Sequence, residues 1–431
     1  MENIEKGLID FINKTPNAFY CVENIKTVLL ENGFVELYEN NIWDNISSEG
    51  KYFVIKNDSS LIAFKTTNCQ NFGFNIVATH GDSPSFSVKP NADIFDGNYL
   101  KINTNPYGGV INYTWFDRPL SIAGRVISYK DGVCKKHLVN IDKDLLVIPS
   151  VAIHLNRSVN ENATFNQQTD MLPIVSLSNQ KKLADIIIEN LSQNYFTTND
   201  ICDYDLYLYS RDKAKFLGAD SEFILSPRLD DLACVYPAFR SFVEADNKNS
   251  INVFCVFNNE EIGSLTMQGA DSAFLFDTLS RISKAMNFDL QVALSNSVVI
   301  SADNAHAIHP NAQAKSDPSN TVRLNGGVVV KRHTNYATDA VSASIMKGIC
   351  NQAGVPYQDF ACRSDLKCGS TLGGISQSHV SVDCVDIGLA QLAMHSTNEV
   401  IGAKDVDNMY KALLKFYNSK IFKSGDEITI V

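Results

Sequence analysis

Three short, mainly apolar runs in this chain each break off at residues that carry acid–base chemistry. Phe72 to Thr79 (FGFNIVAT) leads into His80, Gly81 and Asp82. Ile251 to Phe257 (INVFCVF) leads into Asn258, Asn259, Glu260 and Glu261, and Val298 to Ala302 (VVISA) leads into Asp303. Runs this short, without polar alternation, suit strands covered on both faces. Between them lie helical patterns. Leu232, Val235, Tyr236, Phe239, Phe242 and Val243 recur at helical spacing behind Asp231, an expected N-cap. Strands alternating with helices predict an α/β fold, a sheet flanked by helices on both faces. Ligands of open α/β sheets bind beyond the carboxyl ends of the strands, which is where these polar residues fall.

From Phe86 to Tyr209 the pattern changes. Turn signals at Tyr107-Gly108-Gly109 and Asp131-Gly132, with Ile122 to Ser128 (IAGRVIS) between them, predict a β-rich domain. A chain of 431 residues has room for both. The expected division is residues 1–85 plus 218–431 as one domain, with 86–217 inserted into it. Asp246 to Ser250 and Ser316 to Asn320 are expected turns.

Met1 to Asn13 reads as a first helix, with acidic residues in place of a basic n-region, so a cytoplasmic protein is expected. No apolar run approaches the ~20 residues of a membrane span. The net charge of −11 leaves no excess cation to neutralise phosphates, which excludes nucleic acid as a general partner. The ten cysteines form no CxxC pair and are expected to be buried free thiols of a reducing compartment.

The chain has no Walker loop, dinucleotide fingerprint, HExxH or GxSxG. Its chemistry-bearing set is His80, Asp82, Asp230, Asp231, Glu260, Glu261, Asp303, His306, His309 and His395. Taken singly, such residues are more often structural or solvated than functional. If they converge, carboxylates ~5 Å apart repel by roughly 3 kcal/mol per pair at an effective dielectric near 20. Divalent cations relieve this, and His with carboxylate suits zinc, cobalt or manganese. Two such ions form a hydrolytic centre that polarises a carbonyl and generates hydroxide, with a Glu as general base.

Eight blocks occur in one order: THGDSPSFSVKP, WFDRPLSIAGRV, IPSVAIHLNRSVNEN, SPRLDD, NNEEIGS, SADNAHAIHPN, CGSTLGGI and QLAMHS. Together they resemble the aspartyl aminopeptidase family of dinuclear metallo-aminopeptidases, over about residues 70 to 400. The resemblance implies a mixed sheet of the zinc-exopeptidase kind with an inserted dimerisation and lid domain. It implies two divalent ions per subunit, zinc first and cobalt or manganese as alternatives. His80 and Asp303 would serve one ion, Glu261 and His395 the other, and Asp230 would bridge them. Glu260 would be the general base, and Asp82 would orient the His80 imidazole. His154 would reach a neighbouring subunit's site, as a substrate contact or a further metal ligand. His306, Lys331 and Tyr336 would contact substrate, with Lys331 meeting an acidic first residue. The implied substrates are peptides with a free N-terminus, and the implied assembly is a large, dodecamer-like homo-oligomer.

Three blocks depart from the family pattern. Asp231 stands where most relatives have Asn after the bridging Asp, NNEE replaces DNEE, and HGD replaces HTD. None of these removes an implied ligand. Two alternatives remain at this level, an N-acyl amino acid deacylase on the same scaffold and an inactive shell protein.

Overall fold

The computed structural model describes residues 3–69, 72–177, 181–191, 197–246, 248–369 and 371–431. Met1 and Glu2 of the expected first helix, Asn247 of the expected turn and Ser370 of the CGSTLGGI block lie outside them. The chain divides into two compact units. One comprises Met1–Asp82, Ala214–Met394 and Glu399–Val431, and the other Ser83–Lys213 and His395–Asn398.

The first unit is built on a nine-stranded mixed sheet. Its strands, in chain order, are β1 (Val35–Leu37), β2 (Lys51–Lys56), β3 (Ser60–Lys65), β4 (Phe74–His80), β5 (Ile251–Phe257), β6 (Val298–Ala302), β7 (Val328–Arg332), β8 (Tyr357–Ala361) and β9 (Asp383–Gly388). Across the sheet they lie in the order β1-β2-β3-β5-β4-β6-β9-β7-β8. The four central strands β5, β4, β6 and β9 run parallel. They are mainly apolar because both faces are covered. Val77, Phe254, Val256 and Ile300 enter the core on one face, with Leu229, Phe239, Phe242 and Phe416. Ile76, Cys255, Phe257 and Val299 enter the core on the other, with Phe274, Leu279 and Ile282. Alternate residues of one strand point to opposite faces, so one apolar run feeds two cores.

Register aligns the ends of these strands. Phe257 pairs with His80, and Ser301 pairs with Ala78. Two residues beyond Ser301, just past the end of β6, Asp303 therefore comes level with His80. A second, five-stranded sheet joins Lys215–Leu217, Phe223–Ser226, Glu399–Gly402, Ala390–Leu392 and Ala305–His306 in that order.

The second unit is a six-stranded antiparallel sheet whose longest strands are Ser85–Phe95, Leu120–Lys130 and Ile201–Ser210. Phe86, Ile122, Val126, Leu206 and Leu208 form its core with Trp115 and with Leu183, Ile186 and Ile187 of the helix Leu183–Asn190. Residues 150–170 form turns without strand or helix, and Val151 and Leu155 there are exposed.

Two expectations need correction. Asp231 does not cap the helix that follows it. The backbone at Asp230 and Asp231 is non-helical, and the Asp231 carboxylate accepts from the His80 amide at 3.2 Å, toward the strand ends. The cysteines are not uniformly buried free thiols. Cys134 and Cys202 are exposed, and Cys362 and Cys368 face one another with Cα atoms 6.4 Å apart.

Candidate metal centre

His80 closes β4 and is buried among carboxylates. Its Nε2 lies 3.4 Å from Asp230 Oδ1 and 3.8 Å from Asp303 Oδ1, while Nδ1 lies 3.1 Å from the Asp82 carbonyl oxygen. With Nδ1 turned to Asp82, Nε2 is the nitrogen presented to a ligand. Burial opposes a charge on this imidazole, but Asp230, Asp303 and Asp82 outweigh burial and raise its pKa well above the ordinary value.

Glu260 and Glu261 stand on a single 3₁₀ turn, Glu260–Ile262, directly after β5. Asn259, before the turn, adopts φ 61°. Its Oδ1 accepts from Thr266 Oγ1 and Gln268 Nε2 at 2.8 Å each, which holds the strand exit. Asp82 then fixes the turn, accepting from the Glu260 amide through Oδ1 and from the Glu261 amide through Oδ2, both at 3.2 Å. Burial pushes the Glu260 carboxyl up to about 8, with Asp303, Asp82 and Asp230 adding to the shift and His80 opposing it. Glu261 is raised well above the carboxylate range, by burial first and Asp230 second.

Asp230 sits where the polypeptide turns into the helix Leu229–Glu244. Two buried side chains hold that turn. Glu399 Oε2 accepts from the Asp230 amide at 3.0 Å, and Asn304 Nδ2 donates to the Leu229 carbonyl at 2.8 Å. Sequence reasoning singled out neither. The available signal for Glu399 was an acid opening a short, otherwise apolar strand, EVIG. Asp303 follows β6. Burial opposes its ionisation, but Lys331 and then His80 hold its carboxyl below the usual range.

The ligand atoms of His80, Asp230, Asp231 and Asp303 all lie within 4.8 Å of one another, as do those of His80, Glu260 and Glu261. Such a set fits divalent ions of the zinc type. It combines one neutral nitrogen donor with several oxygen donors whose mutual repulsion a cation removes.

The other expected residues stand as follows. Lys331, on β7, is 2% exposed. Its Nζ donates to the Asp303 carbonyl at 2.7 Å, the Asn304 carbonyl at 3.1 Å and Asp303 Oδ2 at 3.3 Å. The Tyr336 ring centroid lies 5.5 Å from the same nitrogen. His306 is exposed at the edge of the five-stranded sheet, beside a cavity of about 320 Å³ that Phe360 and Gln391 also line. His154 and His395 belong to the second unit. His154 occupies an exposed turn, and His395 adopts φ 68°, its Nδ1 3.0 Å from the Gly109 carbonyl oxygen.

Comparison with known proteins agrees with this chemistry. The family described as aminopeptidase I zinc metalloprotease (M18) matches residues 11–417. The probable M18 family aminopeptidase 2 of Clostridium acetobutylicum is 44% identical over 428 residues, covering 96% of this chain and 98% of that protein. The probable aspartyl aminopeptidase of Ricinus communis is 33% identical, covering 96% and 95%. The structure of the S. cerevisiae mApe1 dodecamer superposes with a TM-score of 0.83 at 26% identity, covering 96% of each chain. These matches set aside the deacylase and the inactive shell, and the reaction class is metal-dependent removal of residues from peptide N-termini. The chain belongs to the M18 family of zinc aminopeptidases.

Proposed function

We propose that this enzyme uses two divalent ions to release acidic residues, Asp or Glu, from peptide N-termini, with Glu260 as general base. His80, Asp230, Glu261, Asp303 and His395 would hold the ions, and Asp230 would be shared between them. The observation that carries this reading is the convergence of His80, Asp303, Glu260 and Glu261, from adjoining parallel strand ends, with Asp230 at the start of the helix Leu229–Glu244. When bound, the ions would polarise the scissile carbonyl and make water nucleophilic near neutral pH.

Glu260 takes the proton of the attacking water and returns it to the leaving amine. Its carboxyl suits both tasks because its proton affinity lies near neutrality rather than in the ordinary carboxylate range. Asp82 keeps the Glu260–Glu261 turn and the imidazole in register. His306, Tyr336 and a neighbouring copy's His154 are the proposed substrate contacts. The acidic preference is supported by the name of the Ricinus relative. Lys331, expected from the sequence to meet an acidic side chain, has its ammonium engaged by Asp303 and Asn304.

The S. cerevisiae relative is a dodecamer, and we propose a homo-oligomer here, with the inserted unit making subunit contacts. The cytoplasm is the proposed compartment, on the eight free cysteines. No helix among the described residues is long and apolar enough to cross a membrane.

Glu260→Gln tests the base. It should keep two ions per chain by elemental analysis while kcat falls by about 10²–10⁴-fold or more. A variant with near-normal kcat would remove Glu260 from the mechanism.

A further inference from the structure

We propose that Asp386, a carboxylate on β9, is a positioning residue for substrate binding: it ties the loop that carries Tyr336 to the start of the helix Leu372–His379. Asp386 is fully buried. A buried carboxylate needs donors for its oxygens, and here they come from two separate segments. Oδ2 accepts from the Ala337 amide at 2.7 Å, and Oδ1 accepts from the Thr371 hydroxyl at 2.6 Å. The Asp386 amide donates to Thr338 Oγ1 at 2.8 Å, and that hydroxyl also lies 3.5 Å from Oδ2.

The helix end receives the charge. Thr371 is the N-cap residue, yet its hydroxyl makes no cap bond and turns to Asp386. A Cβ on Gly373 would stand 2.3 Å from Asp386 Oδ1, so the first helical turn packs its backbone against the carboxylate. An anion there meets the positive end of the helix. On the other side, Ala337 and Thr338 directly follow Tyr336, whose ring centroid lies 5.5 Å from Lys331 Nζ, beside Asp303. Anchors on the next two residues fix where that ring stands. Without the carboxylate the Ala337 N–H loses its acceptor and the loop is released. None of these bonds includes a proposed metal ligand, so the release would leave the ions in place.

This inference rests on the reading of Tyr336 as a substrate contact, and the experiment separates the two. Tyr336→Ala, Asp386→Ala, Asp386→Asn and Thr338→Val are compared with the parent, together with the double variants that combine Tyr336→Ala with Asp386→Ala or with Thr338→Val. The readouts are kcat and KM for the best-cleaved of the Asp, Glu and Leu aminoacyl substrates, metal content and Tm. Tyr336→Ala should raise KM about tenfold or more. A parent-like KM in that variant would overturn the reading of Tyr336 and this inference with it.

Asp386→Ala should raise KM about tenfold or more with kcat within about threefold and metal content unchanged, the pattern of lost substrate binding. In the Tyr336→Ala background the same change should raise KM no more than about twofold further, because both changes remove one contact. Asp386→Asn should keep KM within about threefold of the parent, since its amide oxygen can accept from Ala337 while the Thr371 hydroxyl accepts from its N–H. Thr338→Val keeps the carboxylate and carries the same test should Asp386→Ala not fold. It should raise KM about threefold or more, and add little in the Tyr336→Ala background. A lowered Tm with parent-like KM, or KM effects that simply multiply in the double variants, would make Asp386 a structural carboxylate only and overturn the proposal.

Discussion

Asp82 touches three members of the cluster at once: the His80 imidazole and the amides of Glu260 and Glu261. Asp82→Ala would therefore misplace a base and two ligands together, and activity or metal affinity should fall by about 10–100-fold. Metal titration by calorimetry checks the affinity, and parent-like binding and turnover would deny Asp82 this role. The carboxyl groups also make a pH prediction. Burial pushes Glu260 up to about 8 and raises Asp231 and Glu261 well above the carboxylate range, with neighbouring carboxylates adding and the His80 charge opposing. His80, among these acids, is raised as well. Of these, the two proposed ligands, Glu261 and His80, therefore favour carrying a proton near neutrality, whereas ligation requires the free carboxylate and imidazole. Binding must release protons, so affinity should rise as pH increases from about 6 to about 8 and should fall in acid. Calorimetry at pH 7 in two buffers of different ionisation enthalpy should show at least one proton released. Proton-neutral binding would contradict the electrostatic account.

At the scale of elements, the strands that bear the centre were legible and their convergence was not. FGFNIVAT, INVFCVF and VVISA became strands because each is covered on two faces, which leaves a mainly apolar run without polar alternation as the trace. The chemistry falls at their carboxyl ends because β4, β5 and β6 run parallel. Nothing local told how the turn at Asp230 is held. Glu399 and Asn304, 169 and 74 residues later in the chain, fix it, and such long-range partners leave no periodicity. Asp231 was misread for the related reason that a cap and a buried acceptor look alike in sequence. Lys331 ends an apolar run, VVVK, yet its charge is buried because Asp303 and the neighbouring carbonyls meet it. One glycine supports the arrangement from beneath. A Cβ at Gly388, the last residue of β9, would stand 2.0 Å from the Asp303 carbonyl oxygen. Gly388→Ala should cost roughly 1–3 kcal/mol by forced displacement, about 2–5 °C in Tm for a unit of this size. It should also weaken metal binding. An unchanged Tm and affinity would show that the Asp303 backbone yields without consequence.

At the scale of the whole molecule, the long 150–170 segment carries His154 in exposed turns, with Leu155 83% exposed. Exposed apolar side chains this close in sequence are what a surface covered by another chain would carry. The homo-oligomer proposed here accounts for it. Light scattering after size exclusion should give a mass many times that of one 47.7 kDa chain. His154→Ala should lower turnover while that mass is retained, and a fully active monomer would exclude any role for His154 across subunits. The central claim, metal-dependent release of acidic N-terminal residues, is tested most directly by substrate turnover. Hydrolysis of Asp, Glu, Leu and Lys aminoacyl chromogenic substrates would be measured on chelated protein before and after zinc, cobalt or manganese is restored. The account predicts no turnover without metal, recovery on restoring it, and higher kcat/KM for Asp and Glu than for Leu and Lys. Turnover that survives chelation, or no turnover with any metal on the intact oligomer, would contradict it.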